Sequence, residues 1–172
     1  MGRAWFDRRF RFDHLGEDDF PYVVERLRGT PSRIAAKIEG VPREVLARRD
    51  GDSWSVQEHI GHLLVLDALH DGRLDDYEAG AEELRPADLR NRATHEGGYN
   101  DREAGELLDA FRRGRGRLVE RLDSWEPRLV AATATHPRLE QPMRVVDMAW
   151  FTAEHDDHHL ERMTRLLGSG RD

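Results

Sequence analysis

None of the 172 residues is cysteine. That excludes disulfides, thiolate metal ligands and a cysteine nucleophile, and it is the composition expected of a protein in a reducing cytoplasm. Lysine is almost as scarce: Lys37 stands alone, and arginine supplies every other basic side chain. No apolar run approaches membrane-spanning length, and the first residues lack the apolar core of a secretory leader, so a membrane partner is not expected. Positive charge is also in deficit. The formal net charge is −7, whereas phosphate backbones are held by concentrated basic surface, so no nucleic-acid partner is expected. The one basic stretch interleaves Arg3, Arg8, Arg9 and Arg11 with Trp5, Phe6, Phe10 and Phe12, and Glu17-Asp18-Asp19 follows it at once. It reads as an arm whose aromatics dock onto a core.

What is present is helical. Hydrophobic residues make up 38% and charged residues 35%, and the apolar positions recur with a period near 3.6 while strand-like alternation is nearly absent. The length suits one domain, with an N-terminal arm over 1–19 and a bundle over 20–167. A first helix is expected from Phe20 to Glu39, kinked at Thr30-Pro31 because proline removes a ladder donor, and closed by Gly40 and Pro42. A loop over Arg48 to Ser53 precedes the second helix. Ser55 and Glu58 have the S-x-x-E spacing of a capping box and open that helix, which runs through Leu63, Leu66 and Leu69 to about Ala79. Gly80 to Asn100 reads as a long loop with room for short helical turns, and loops of that length often border functional sites. Asn100 with Glu103 suggests the cap of a third helix carrying Leu107, Leu108, Phe111, Leu118 and Leu122. Pro127 to Pro142 is a connector, and a fourth helix is expected from Met143 to Leu167, ended by Gly168. Four long amphipathic helices predict an all-α four-helix bundle.

The chemistry lies in the histidines, five of which fall in two short helical clusters. His155 and His159 are four residues apart, about 40° of rotation after one turn, and so share a face. They border the apolar stripe of Val146, Trp150, Ala153, Leu160 and Met163, where the metal sites of helix bundles are built. On the second helix, His62 lines up with Leu66 and Leu69, and His59 shares a row with Leu63 and Leu66; periodicity does not separate them. Three neutral imidazoles around one divalent cation would leave a fourth position open, which is how catalytic sites differ from closed structural ones. Glu58, Asp67, Glu154, Asp156 and Asp157 are candidates to hold the far nitrogen of a ligating imidazole. His14, His70, His95 and His136 are singletons. His155 to His159 also reads H-D-x-x-H, one methylene short of the metallopeptidase pattern H-E-x-x-H. The shorter acid would not reach a metal-bound water, and no sheet is in sight to carry a peptide.

Trp54-Ser55-x-x-Glu58-x-x-x-His62-Leu63 on the second helix and His155-x-x-x-His159 on the last resemble the DinB-like superfamily of metal-binding four-helix bundles, over roughly residues 20–167. In that family one histidine of the second helix and an H-x3-H or E-x3-H pair of the last bind a divalent metal. The resemblance therefore implies His62, His155 and His159, the second-helix ligand being the histidine followed by leucine; Glu154 with His158 is the E-x3-H alternative. It also implies a zinc, nickel, iron or manganese ion that activates a bound thiol or water. The expected activity is metal-dependent and acts on a small-molecule substrate. It is either thiol-dependent S-transfer, with a low-molecular-weight thiol cosubstrate such as mycothiol or bacillithiol, or hydrolysis. The competing class is a non-catalytic metal-binding or stress-response bundle, and an open coordination position facing a pocket would discriminate against it. A homodimer through an uncovered apolar helix face is a further expectation.

Overall fold

The computed structural model describes residues 4–168. Four long helices form the bundle: α1 (Phe20–Ile38), α3 (Val56–Glu78), α5 (Ala104–Asp123) and α7 (Val145–Gly168). Between them lie three single-turn helices, α2 (Arg43–Leu46), α4 (Arg92–His95) and α6 (Pro127–Val130), and an antiparallel hairpin of β1 (Thr133–His136) and β2 (Gln141–Arg144). The hairpin corrects the expectation of a plain connector. Its strands are only four residues long, too short for alternation to stand out, although Ala134 and His136 are buried on one face. The last helix accordingly starts at Val145 and not at Met143.

Each long helix packs on two others: α1 on α5 and α7, and α3 on α5 and α7. The chain therefore crosses the bundle diagonal twice, from α1 to α3 and from α5 to α7. Those crossings carry α2 in one case and α6 with the hairpin in the other. The α3–α5 connection joins neighbours and could be short, yet it is the longest. It is held down on the hairpin, where the Leu84 N–H donates to the Thr135 carbonyl and the Thr135 N–H to that of Glu82, and on α3, where the Tyr99 ring fills the space that a side chain at Gly61 would need. The N-terminal arm buries Trp5, Phe10 and Phe12 against the hairpin end of the bundle.

The start of α3 follows the sequence expectation. Ser55 Oγ accepts from the Glu58 N–H at 3.1 Å and the Glu58 carboxylate accepts from the Ser55 N–H at 2.9 Å, which satisfies two of the orphan donors of the first turn. Asn100 does not cap α5; its Oδ1 accepts from Ser55 Oγ at 2.6 Å, and Glu103 stands at the cap position. Burial alone would raise the Glu58 carboxyl, but the Arg49 guanidinium and the Ser55 N–H outweigh it and hold the group down at about 2.

The core consists of two apolar clusters, one from the hairpin end and one from the opposite end, and a polar layer separates them. Each long helix contributes one polar residue to it at a position that continues its apolar row: Thr30, Asp67, Arg115 and Asp156, none more than 3% exposed. Arg115 donates through Nε and Nη2 to Asp67 and through Nη1 and Nη2 to Asp156, while Thr30 Oγ1 donates to Asp156 Oδ2 at 2.7 Å. Arg115 Nη1 also reaches the Leu27 carbonyl at 3.1 Å. That carbonyl is the one left without a helical donor by Pro31, four residues on. The proline expected to kink the first helix lies inside a continuous α1, and the carbonyl it frees is filled from α5.

Removing one member of a buried ion cluster leaves uncompensated charge, so Arg115→Met should cost about 3–5 kcal/mol in urea unfolding. Adding Asp67→Leu and Asp156→Leu to it should recover more than half of the loss, because an all-apolar layer of similar volume leaves no charge stranded; a triple variant no more stable than the single would contradict this reading. For Glu58, the folded value lies below the unfolded one, so its contribution is present above about pH 4.5 and is lost as pH falls toward 2. Discounted for the half-exposed Arg49, Glu58→Gln should cost about 1–2 kcal/mol at neutral pH, and the gap from wild type should close between pH 4.5 and 2 in pH-resolved thermal unfolding.

Candidate metal centre

The polar layer fixes the rotation of α3 and α7, and with it the direction of their histidines. With Asp156 turned inward to Arg115, His155 and His159 on the adjoining face of α7 point toward α3, from which His62 meets them. The ring centroids lie 4.3 Å apart for His155 and His159, 4.8 Å for His62 and His159, and 5.3 Å for His62 and His155. One nitrogen from each of the three falls within 4.8 Å of the others, and among the described residues this is the only such group of three metal-ligating side chains. His155 Nε2 and His159 Nε2 approach to 3.0 Å.

Two of the three remaining nitrogens are held from behind. His62 Nδ1 lies 3.0 Å from Thr94 Oγ1, which the pinned α3–α5 loop delivers on α4. His159 Nδ1 lies 2.8 Å from His59 Nδ1. A proton on Nδ1 of His62 and of His159 would leave both Nε2 lone pairs free for a cation, the tautomer that an outer acceptor imposes on a ligating imidazole. Trp54 lies parallel to His159 and tilted against His62, and Trp5 sets its edge against His155.

All four imidazoles are buried, and burial, reinforced by repulsion between the clustered rings, holds them neutral. His155 and His159 lie well below the usual histidine value, His62 is pushed down to about 4 and His59 to about 3. Neutral nitrogens are what a cation requires, and two nitrogens on one tetrahedral zinc stand about 3.3 Å apart. The spacings in the cluster bracket that value, so the three residues fit a divalent metal with small side-chain rotations. They border a cavity of about 620 Å³, also lined by Trp5, Trp54, Leu66 and Phe151. A metal held there would keep one side facing the cavity.

The carboxylates expected behind the imidazoles do other work. Asp67 and Asp156 serve Arg115; Glu58 caps α3 and pairs with Arg49; Glu154 pairs with Arg8 and Arg26, and Asp157 with Arg26 and Arg33. Glu154 is thereby turned toward α1, so the Glu154–His158 alternative does not converge with His62. His158 is half-buried and also lines the cavity. His59 stands behind His159 rather than among the converging three. Thr94 escaped sequence reasoning; its only signal is its place in the long loop. Of the singletons, His70 and His136 line the cavity, His95 edges Trp54, and His14 edges Trp150.

The superfamily model for DinB matches residues 26–163. Among solved structures, YfiT from Bacillus subtilis, described as "a probable metal-dependent hydrolase with an unusual four-helix bundle topology", aligns with a TM-score of 0.76 at 16% identity, covering 92% of this chain and 91% of that one. At that identity the likeness establishes the fold and not the chemistry. No curated protein matches the sequence. With the family model spanning most of its length and the helices arranged as in YfiT, the chain belongs to the DinB superfamily.

Proposed function

We propose that the protein is a metal-dependent enzyme of the hydrolase type acting on a small molecule, with His62, His155 and His159 holding one divalent cation. The observation that carries this reading is the convergence of three buried, neutral imidazoles on the wall of a cavity large enough for a substrate. A cation bound there would supply a Lewis acid and a nucleophile at neutral pH. The chain's own residues do the rest. Thr94 and His59 fix the ring orientations of His62 and His159. Trp54 and Trp5 pack against the imidazoles where these border the cavity. His158, held neutral by burial and lining the cavity, can accept a proton from a bound nucleophile. The open cavity favours an enzyme over a closed structural site. Thiol-dependent transfer shares the same metal logic; with no cysteine in the chain, its thiol would have to come with a cosubstrate.

Elemental analysis of untagged protein should find about one divalent metal per chain, lost in His155→Ala and in His62→Ala. His59→Ala should keep the stoichiometry at saturating metal while weakening affinity about 10–100-fold, the usual effect of removing an outer hydrogen-bond partner. A metal-free wild type after reconstitution, or an unchanged content in His155→Ala, would sink the assignment. Metal-loaded protein should then cleave activated esters or amides without added thiol, and chelation should abolish this. Turnover that appears only with a thiol and an electrophile would move the protein to the transferase class.

A further inference from the structure

The cavity beside the three histidines continues along α3 toward the hairpin end, and its wall changes character there. His62, Leu66, Leu69, His70 and Arg73 form one stripe of α3 lining it. Arg73 is 2% exposed. Its Nε donates to the Arg85 carbonyl at 3.1 Å, but its Nη2 is buried with no hydrogen-bond partner. Asp76, whose charge it feels, is taken up by a multidentate pair with Arg85. From the opposite wall, the hairpin turn contributes Arg138, half-buried over the rings of Phe6 and Phe151, whose Nη2 is likewise buried without a partner. Among the described residues, neither guanidinium has a carboxylate in ion-pair contact. His70 Nδ1 is a third buried polar atom without a partner. His136 Nδ1 accepts the backbone N–H groups of Arg138 and Leu139, so its Nε2 carries a proton and is a donor.

Buried guanidinium donors without partners are costly, and so many in one cavity call for an acceptor that the chain does not provide. We infer that Arg73 and Arg138, flanked by His70 and His136, form an oxyanion-binding subsite that receives a carboxylate or phosphate group of the substrate. Planar guanidinium forks suit both groups. Burial lowers Arg73 to about 10, which leaves it cationic at neutral pH. His62 and Arg73 are about 16 Å apart along the helix axis. The ligand is therefore elongated: an anion at the hairpin end, an apolar middle over Leu66 and Phe151, and its reacting bond at the histidines. Only this last placement rests on the proposed metal function; anion binding itself does not.

The test is calorimetric titration of the metal-stripped full-length protein with 4-phenylbutyrate, phenyl phosphate and neutral 4-phenylbutyramide. Both anions should bind, the amide at least tenfold more weakly, and the affinity should fall with added salt. Arg138→Gln and Arg73→Gln should each weaken anion binding at least tenfold, whereas His155→Ala and the surface variant Arg112→Gln should leave it unchanged. Because Arg73 is deeply buried, Arg138→Gln carries the test if Arg73→Gln fails to fold. Anions that do not bind at millimolar concentration, an amide that binds equally well, or binding unchanged in a folded Arg138→Gln would overturn the inference. Loss of binding in His155→Ala would also overturn it, by moving the anion to the histidine site. The preferred anion identifies the substrate as a carboxylic acid or a phosphate ester. As no metal is present in the titration, failure of the metal assignment and failure of the anion subsite are separate results.

Discussion

One guanidinium touches all four long helices. Arg115 belongs to α5 and bonds Asp67 of α3, Asp156 of α7 and the Leu27 carbonyl of α1. A layer of this kind is a poor source of net stability, since desolvating a charge costs several kcal/mol that the pairing in low dielectric only about repays. Its value lies in uniqueness. Leucine rows on four helices can slide by a turn or rotate by a few tens of degrees with small loss. A fork with fixed donors meeting two carboxylates and one freed carbonyl has a single solution. The two apolar clusters on either side supply the burial energy, and the layer between them sets the register in which it is collected.

That register has a chemical consequence. On α7, Asp156 immediately follows His155 and precedes His159 by three residues, so turning Asp156 to the bundle axis sends both histidines to the adjoining face. On α3, Asp67 and His62 are five residues apart, about 140° around the helix, and the same constraint turns His62 to the cavity. Three side chains from two helices thus converge because a different set of polar residues has already fixed the rotation of those helices. The long α3–α5 loop, pinned by Tyr99 over Gly61 and by the hairpin edge, then brings Thr94 to His62. Scaffold and site are coupled through named bonds rather than through general rigidity.

Much of this is legible in the sequence, and what is not has a physical reason. Helix periods, the Ser55–Glu58 box and the pair His155 and His159 are local, set within a few residues. The polar layer is harder to read: Thr30, Asp67, Arg115 and Asp156 each interrupt an otherwise apolar row, but the row does not say what each one meets. Who pairs with whom depends on which helices are neighbours, and the diagonal crossings decide that. For the same reason the carboxylates look in sequence like partners for the imidazoles, while in the fold Arg115 and surface arginines claim them. The hairpin escapes because four-residue strands carry almost no periodic signal. Pro31 reads as a kink because its missing donor is visible in sequence, whereas the arginine that answers its freed carbonyl lies 84 positions away.

The electrostatics of the cavity are the converse of those of the core. In the polar layer every buried charge has its partner inside the chain, with two carboxylates closing on one cation. Along the cavity wall, three buried imidazoles converge, and two guanidinium groups each hold one buried nitrogen without a partner. The first arrangement holds neutral nitrogens ready for a cation, and the second is unfavourable in isolation because it lacks a negative charge. A chain that satisfies its buried charges so completely a few ångströms away has not run short of acidic residues, since it carries 34 of them against 27 basic ones. Among the described residues, the two guanidinium groups with a buried unpartnered nitrogen both line the cavity that the histidines border. A cation at the histidines would meet nitrogens already neutral, and an anionic group at the arginines would remove a desolvation cost already present in the folded protein. Binding would then draw on preorganisation that the bundle supplies in advance.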